Sequence, residues 1–317
     1  MQKSGTATTT ASSFTNFLKS KWRSSTKDTR HYKHVPTDIE RDWVRHNALK
    51  LAFESDFKAP MHRLLQAGGC EVLDVGCGAG FWSLDMATKY RLSYFTGIDV
   101  DKNILPVNPK PKNVLFQRID VMELPLPYED DTFDYVFIRS MVDTVPDEEW
   151  DAVLREFVRI MKKGAFIECV EAYENLFDAG PAMSTILRRA FANSSSPSPP
   201  NSPTTGVPSG TIQNPLPNRM AAIGHLMGMQ IRHTHTPVGL YGGAVGSSLL
   251  EYWERIIQSS RQKWIQDKLI GEKELEEVVN ELRGEVEEYK TYMSWYSVVA
   301  QKKGYKGPVI RFEDVDT

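Results

Sequence analysis

Cysteine is scarce: Cys70, Cys77 and Cys169 are the whole complement of a 317-residue chain. Their odd number and irregular spacing exclude a disulfide framework and a structural zinc site, and a reducing compartment is the default for such a chain. Long apolar runs are missing too. None approaches the about 18 uninterrupted apolar residues of a membrane span, and the polar N-terminus lacks the apolar stretch of a secretory signal. A cytoplasmic protein with no membrane partner is expected. The third absence is charge of one sign. Lys plus Arg total 38 against 41 Asp plus Glu, a net charge of -3, which leaves no global electrostatic case for nucleic acid. The expected partner is a small molecule, with a protein partner as the alternative.

What is present fits one large domain with tails: 41% of the residues are hydrophobic and 25% are charged. Residues 1–35 are rich in Ser and Thr and carry Lys3, Lys19, Lys21, Arg23, Lys27, Arg30 and Lys33 against one acid, Asp28. That composition builds no core, so this stretch is expected to be a disordered basic tail. A nuclear or mitochondrial address is the alternative reading of the same residues. Residues 193–217 alternate Ser, Pro, Asn, Thr and Gly and are expected to form a solvated insert within a domain spanning 36–305. Residues 306–317 make a C-terminal tail.

Between those stretches, short apolar runs alternate with helical patterns, the signature of a parallel sheet covered by helices. The strands are read at Glu71 to Val75, Tyr94 to Ile98, Val114 to Ile119, Phe133 to Ile138 and Ala165 to Val170. Met229 to Thr236 and Ser294 to Gln301 complete seven. The fold class is α/β: a Rossmann-like, doubly wound, seven-stranded and mostly parallel sheet with helices on both faces. Phe81 to Tyr90 reads as the first crossover helix, and Pro146 is expected to open another. Pro106, Pro109 and Pro111 forbid a regular helix between the second and third strands. The acidic run Glu272 to Glu288 reads as a solvated helix face.

The first strand runs into Gly76-Cys77-Gly78-Ala79-Gly80, so these glycines occupy a strand-to-helix turn. In open α/β sheets the ligand crevice lies outside the carboxyl ends of the strands, where this turn meets Asp99 and Asp120. The spacing is G-x-G-x-G. A pyrophosphate site wants G-x-G-x-x-G, and Asp74 just before the turn suits a ligand bearing an amino group and a sulfonium better than one bearing phosphates. Asp99 stands nineteen residues beyond Gly80, where an acid grips ribose hydroxyls. Asp120 can accept a hydrogen bond from an exocyclic adenine amine while Val121 packs against the ring edge. Together these features point to S-adenosylmethionine (SAM).

The segments Glu71-Val-Leu-Asp-Val-Gly-Cys-Gly-Ala-Gly80-Phe-Trp-Ser-Leu-Asp-Met-Ala87, Gly97-Ile-Asp99-Val100, Asp120-Val121 and Phe133-Asp-Tyr-Val136 resemble the motifs of class I SAM-dependent methyltransferases. More narrowly, Trp82 to Ala87, Asp38-Ile-Glu40-Arg41 with His46, and Pro237 to Gly243 are similar to the fungal methyltransferases related to the LaeA regulator of secondary metabolism. The resemblance runs from about Tyr32 to Lys303. It implies that Asp74, Gly76, Gly78 and Gly80 surround the methionine part of SAM, Asp99 the ribose, and Asp120 and Val121 the adenine. It also raises a second function class, a regulator that keeps the fold and acts through protein partners. Two departures stand out. Lys163-Gly164 replaces the usual Pro-Gly, and Phe137-Ile138 replaces a more polar pair before Arg139.

Cys77, Val100, Trp82 and Arg139 complete the candidate cofactor site. Trp82 suits either the pocket lining or the packing of the first helix, Arg139 either the methionine carboxylate or a neighbouring acid. Cys77 reads as a small filler whose thiol a helix N-terminus would acidify, and Asp85 as a helix-surface residue. Transfer of a methyl group from a sulfonium needs alignment more than acid–base help, and no metal. His46, Asp143, Glu171 and Tyr173 are positional candidates for a general base, and none of them is singled out.

Overall fold

The computed structural model describes residues 36–107, 110–142, 144–190 and 216–304, all within the unit His34–Thr317. The basic tail, nearly all of the low-complexity insert, the C-terminal tail and Asp143 lie outside the described residues. Seven strands form one sheet in the order β3-β2-β1-β4-β5-β7-β6. They are β1 Glu71–Val75, β2 Tyr94–Asp99, β3 Val114–Arg118, β4 Phe133–Arg139, β5 Met161–Phe177, β6 Leu226–Pro237 and β7 Tyr292–Lys302. The first five pair in parallel, whereas β7 lies antiparallel between β5 and β6.

Alternation along the strands sends side chains to two cores. On one face Val72, Phe95, Tyr135, Phe137 and Phe166 pack against Trp82, Met86 and Ala87, which belong to helix α3, Phe81–Lys89. On the other, Leu73, Ile98, Val136, Ile138 and Ile167 meet Trp150, Val153, Leu154 and Phe157 of helix α4, Trp150–Ile160. Those four apolar residues recur at the three- and four-residue spacing that makes one helical stripe. Helix α1, Pro36–Phe53, and the short α2, His62–Ala67, precede the sheet. Helix α5, Pro181–Ala190, and α6, Leu216–Ala222, follow β5. Finally α7, Gly243–Gln266, and α8, Glu272–Tyr289, separate β6 from β7.

Several boundaries differ from the sequence reading. Helix α4 starts at Trp150, because Pro146 to Glu149 close a separate turn in which Glu149 N–H donates to the Pro146 carbonyl at 3.0 Å. β5 runs seven residues past Val170, since antiparallel β7 continues to pair with it where parallel β4 has ended. Leu216 and Pro217 belong to α6 rather than to the insert, and Leu216 is buried in the core under α4. The acidic helix α8 is not wholly solvated either. Leu275, Val278, Leu282 and Val286 bury one stripe, and Glu285 beside them accepts the N–H groups of Ala182 and Met183 at 2.6 and 2.8 Å. That carboxylate caps the N-terminus of α5, where anions are stabilised.

Candidate functional site

The turn from β1 to α3 must redirect the chain within five residues, and it does so with three left-handed glycines. Gly76, Gly78 and Gly80 have φ of 63°, 53° and 71°, a region that costs other residues about 1–2 kcal/mol. Space is also short. A Cβ on Gly76 would stand 2.1 Å from the Met141 sulfur, and one on Gly80 would stand 2.6 Å from the Phe116 ring. The turn is pinned to β2: Cys77 N–H donates to the Ile98 carbonyl at 2.9 Å, and Gly78 N–H donates to Asp99 Oδ2 at 2.9 Å.

Asp99 ends β2 with its other oxygen, Oδ1, accepting the Asp101 N–H at 2.9 Å. Asp120 lies past the end of β3, and there its Oδ1 accepts the Met122 N–H at 2.9 Å. The Ile119 N–H meets the Asp99 carbonyl at 3.0 Å, so the two acids share one sheet edge. Val121 is buried in the same cluster as Ile98 and Met141. Val100 is half-buried, and its carbonyl accepts Arg118 Nε at 3.1 Å.

Asp74 sits one layer below, buried on the α3 face, where Ser83 Oγ donates to its Oδ2 at 2.7 Å. Burial raises its carboxyl to about 7 against the pull of Ser83 and Arg139, and Asp99 adds to the rise. Cys77 departs from the expectation of an acidified thiol. Burial first, and then the charges of Asp74 and Asp99, push it well above the ordinary thiol range, and these outweigh the pull of its own backbone N–H. Ser140, just past β4, adopts φ of 57° with its N–H on the Val170 carbonyl at 3.0 Å. Its buried Oγ has no hydrogen-bond partner among the described residues.

Arg139 ends β4 beside this group and meets no carboxylate in ion-pair range among the described residues; its guanidinium instead donates to His46 Nδ1 at 3.1 Å. Burial lowers it to about 10, and Arg45 adds to that while Asp74 opposes it. His46 Nε2 lies 3.2 Å from Asp85, and Lys50 Nζ lies 2.6 Å from the same oxygen. Asp85 is therefore no plain surface residue. Burial alone would raise its carboxyl, but the bonds from His46 and Lys50 bring it down to about 2.

Trp82 both packs and lines. Its ring stacks on Phe137 with centroids 3.9 Å apart, and its Nε1 donates to the Asp56 carbonyl at 2.7 Å. Together with Phe53, Phe57, Arg139 and Val170 it bounds a small depression, about 370 Å3 when the solvent-open space is included, between α1, the 54–58 segment, the end of β4 and the middle of β5. The remaining base candidates lie elsewhere or are engaged. Glu171 accepts the Met141 N–H at 2.8 Å, and the Tyr173 hydroxyl meets His233 Nδ1 at 3.0 Å. Ser83 and Ser140 were not singled out in the sequence. Nothing in their local pattern marks them, since their places depend on strands and helices distant in the chain.

The strand order, with β7 reversed between β5 and β6, is the class I methyltransferase fold. Residues 72–164 match the family described as a methyltransferase domain. The chain is similar to a demethylmenaquinone methyltransferase of Oceanobacillus iheyensis, 32% identical over 119 residues, which are 36% of this chain and 49% of that protein. It is also similar to methyltransferase str2 of Strobilurus tenacellus, 32% identical over 118 residues, 36% and 41% of the two chains. The chain thus spans less than half the length of these curated relatives. Among solved structures, a SAM-dependent methyltransferase from Archaeoglobus fulgidus aligns at TM-score 0.47 and 16% identity, over 84% of this chain and all of that one.

Proposed function

We propose that the protein is a SAM-dependent methyltransferase acting on a small-molecule acceptor. The observation that carries the reading is the Gly76–Gly80 turn, open-backboned at the carboxyl edge of the sheet and bonded directly to the carboxylate of Asp99. The residues fit the cofactor's parts. Asp74 and the orphaned Ser140 hydroxyl face the amino-acid head, Arg139 stands ready for its carboxylate, Asp99 accepts from the ribose hydroxyls, and Asp120 and Val121 meet the adenine. SAM held by these residues would supply an activated methyl group, the carbon–sulfur electron pair returning to sulfur as the acceptor's lone pair bonds the carbon. The chain's part is to align the two reactants and exclude water.

The cavity beside Trp82 and Arg139 suits the acceptor. It adjoins the methionine end of the site without sharing the glycine turn, and four aromatic side chains line it. The relatives carry methyltransferase names, one of them with a quinone-type small molecule in it, which supports an enzyme over a regulator acting through partners. The narrower LaeA-type resemblance rests on the quoted residues alone. We assign no general base, since both ring nitrogens of His46 and a carboxylate oxygen of Glu171 are already engaged.

Titration calorimetry with SAM, S-adenosylhomocysteine and a nicotinamide dinucleotide tests this reading. Binding of the first two and not the third is expected. The opposite preference overturns the cofactor, and absence of turnover on a panel of quinone, phenol and carboxylic-acid acceptors by a SAM-binding protein favours the regulator.

A further inference from the structure

Arginine has donors and no acceptor, so the 3.1 Å contact between Arg139 and His46 Nδ1 fixes the imidazole: Nδ1 carries the lone pair and Nε2 the proton, which points to Asp85 at 3.2 Å. His46 is thus a neutral link in a chain that runs Lys50, Asp85, His46, Arg139. Its ring is buried between Trp43 and Phe81, with centroids 6.2 and 6.1 Å away, so it cannot swing to another partner without repacking. Burial and the Arg139 charge push its pKa down, while Asp85 pulls the other way. The cation it holds is half-buried and has no ion-pair partner among the described residues, an arrangement that a bound anion would relieve.

Resting on the methyltransferase reading, we propose that His46 is a positioning residue: it fixes the Arg139 guanidinium by one N–H and leaves the others to a ligand carboxylate, that of the cofactor's methionine part. The charged groups around it are Lys50 on α1, Asp85 on α3, Arg139 on β4 and, through Arg139, Asp74 on β1 with Arg45 and Asp42 on α1. A proton on Nδ1 would turn the acceptor into a second donor facing a guanidinium. The clamp then opens, and carboxylate recognition is lost as pH falls.

The test compares S-adenosylhomocysteine with its decarboxylated analogue, which keeps the ammonium. The ratio of their affinities isolates the carboxylate and cancels the titration of Asp74. For the wild type the ratio should favour S-adenosylhomocysteine by roughly tenfold or more at pH 8 and shrink towards pH 5. His46→Gln keeps one acceptor and one donor but cannot titrate, so it should retain the preference and flatten its pH profile. His46→Leu should abolish the preference. Asp85→Asn, on a partly exposed side chain, perturbs the same chain from its far end and should reduce it, which serves if the buried substitution fails to fold. An unchanged ratio in both His46→Leu and Asp85→Asn overturns the proposal, as does a preference that grows at low pH, which would make His46 a direct cationic ligand. If wild type binds neither compound, the cofactor assignment fails and this inference with it. If it binds both equally, the clamp alone fails.

Discussion

Asp99 and Gly78 are joined across the edge of the sheet: the carboxylate Oδ2 at the end of β2 accepts the backbone N–H in the middle of the glycine turn at 2.9 Å. One side chain therefore shapes the turn and, in the proposed site, reads the ribose. Asp99→Asn must face either the Gly78 or the Asp101 N–H with its amide donors, so it loses one of those bonds and a charged acceptor together. Charge-assisted bonds of this kind contribute about 1.5–3 kcal/mol, so S-adenosylhomocysteine should bind roughly ten- to a hundredfold more weakly. The loss should shrink for a ligand lacking a ribose hydroxyl, whereas Asp120→Asn should leave sensitivity to that hydroxyl intact. Calorimetry on both variants checks this, and wild-type affinity in both folded variants would refute the site.

Gly76 carries two separable constraints, its left-handed backbone and the Met141 sulfur that a Cβ would strike. Gly76→Ala should cost about 1–2 kcal/mol for the conformation and more for displacing the thioether. Removing the thioether relieves only the second. Gly76→Ala should therefore destabilise the protein less in a Met141→Ala background than alone, a coupling that urea denaturation of the four proteins measures.

The strands that lead to the glycine turn, Asp99 and Asp120 were legible because each is a short run with its functional residues at or just past its end, and period and punctuation are local properties. The Lys50–Asp85–His46–Arg139 chain was not. His46 and Arg139 are 93 residues apart, and their meeting depends on how α1 packs across the end of β4. Asp85 on a helix pattern reads as surface because nothing local says that another helix lies over it. Glu285 fails for the same reason: one acid in an acidic run looks like its neighbours until α5 is placed against it.

Glu285 gives a stability test free of the cofactor question. Its oxygens hold two backbone N–H groups at the start of α5, and no apolar replacement satisfies them. Glu285→Leu should therefore destabilise by about 1–3 kcal/mol despite its helix propensity, while Glu281→Leu, on an exposed position of the same helix, should change stability little. Chemical denaturation of the two variants compares them directly. Equal effects would show that the cap contributes nothing.

Asp74 makes the proposed ammonium contact measurable through protons. In the folded protein burial holds its carboxyl at about 7, against an ordinary value of 3.8. Between those values the folded state binds a proton that the unfolded state has released. Stability should therefore fall as pH rises from about 4 to about 7 and level off above it, and Asp74→Asn should remove that slope. An ammonium placed against the carboxylate reverses the balance, because it stabilises the charged form and drives the proton off. Binding of S-adenosylhomocysteine near pH 6 should thus release a proton, seen as a dependence of the calorimetric enthalpy on the ionisation enthalpy of the buffer. The release should fade above pH 8, where the carboxyl is already charged, and vanish in Asp74→Asn. It should also vanish for a thioether nucleoside without the amino-acid head. A buffer-independent enthalpy at pH 6 in the wild type would mean that the ammonium lies elsewhere and that Asp74, bonded to Ser83, serves only to fix α3 on the sheet.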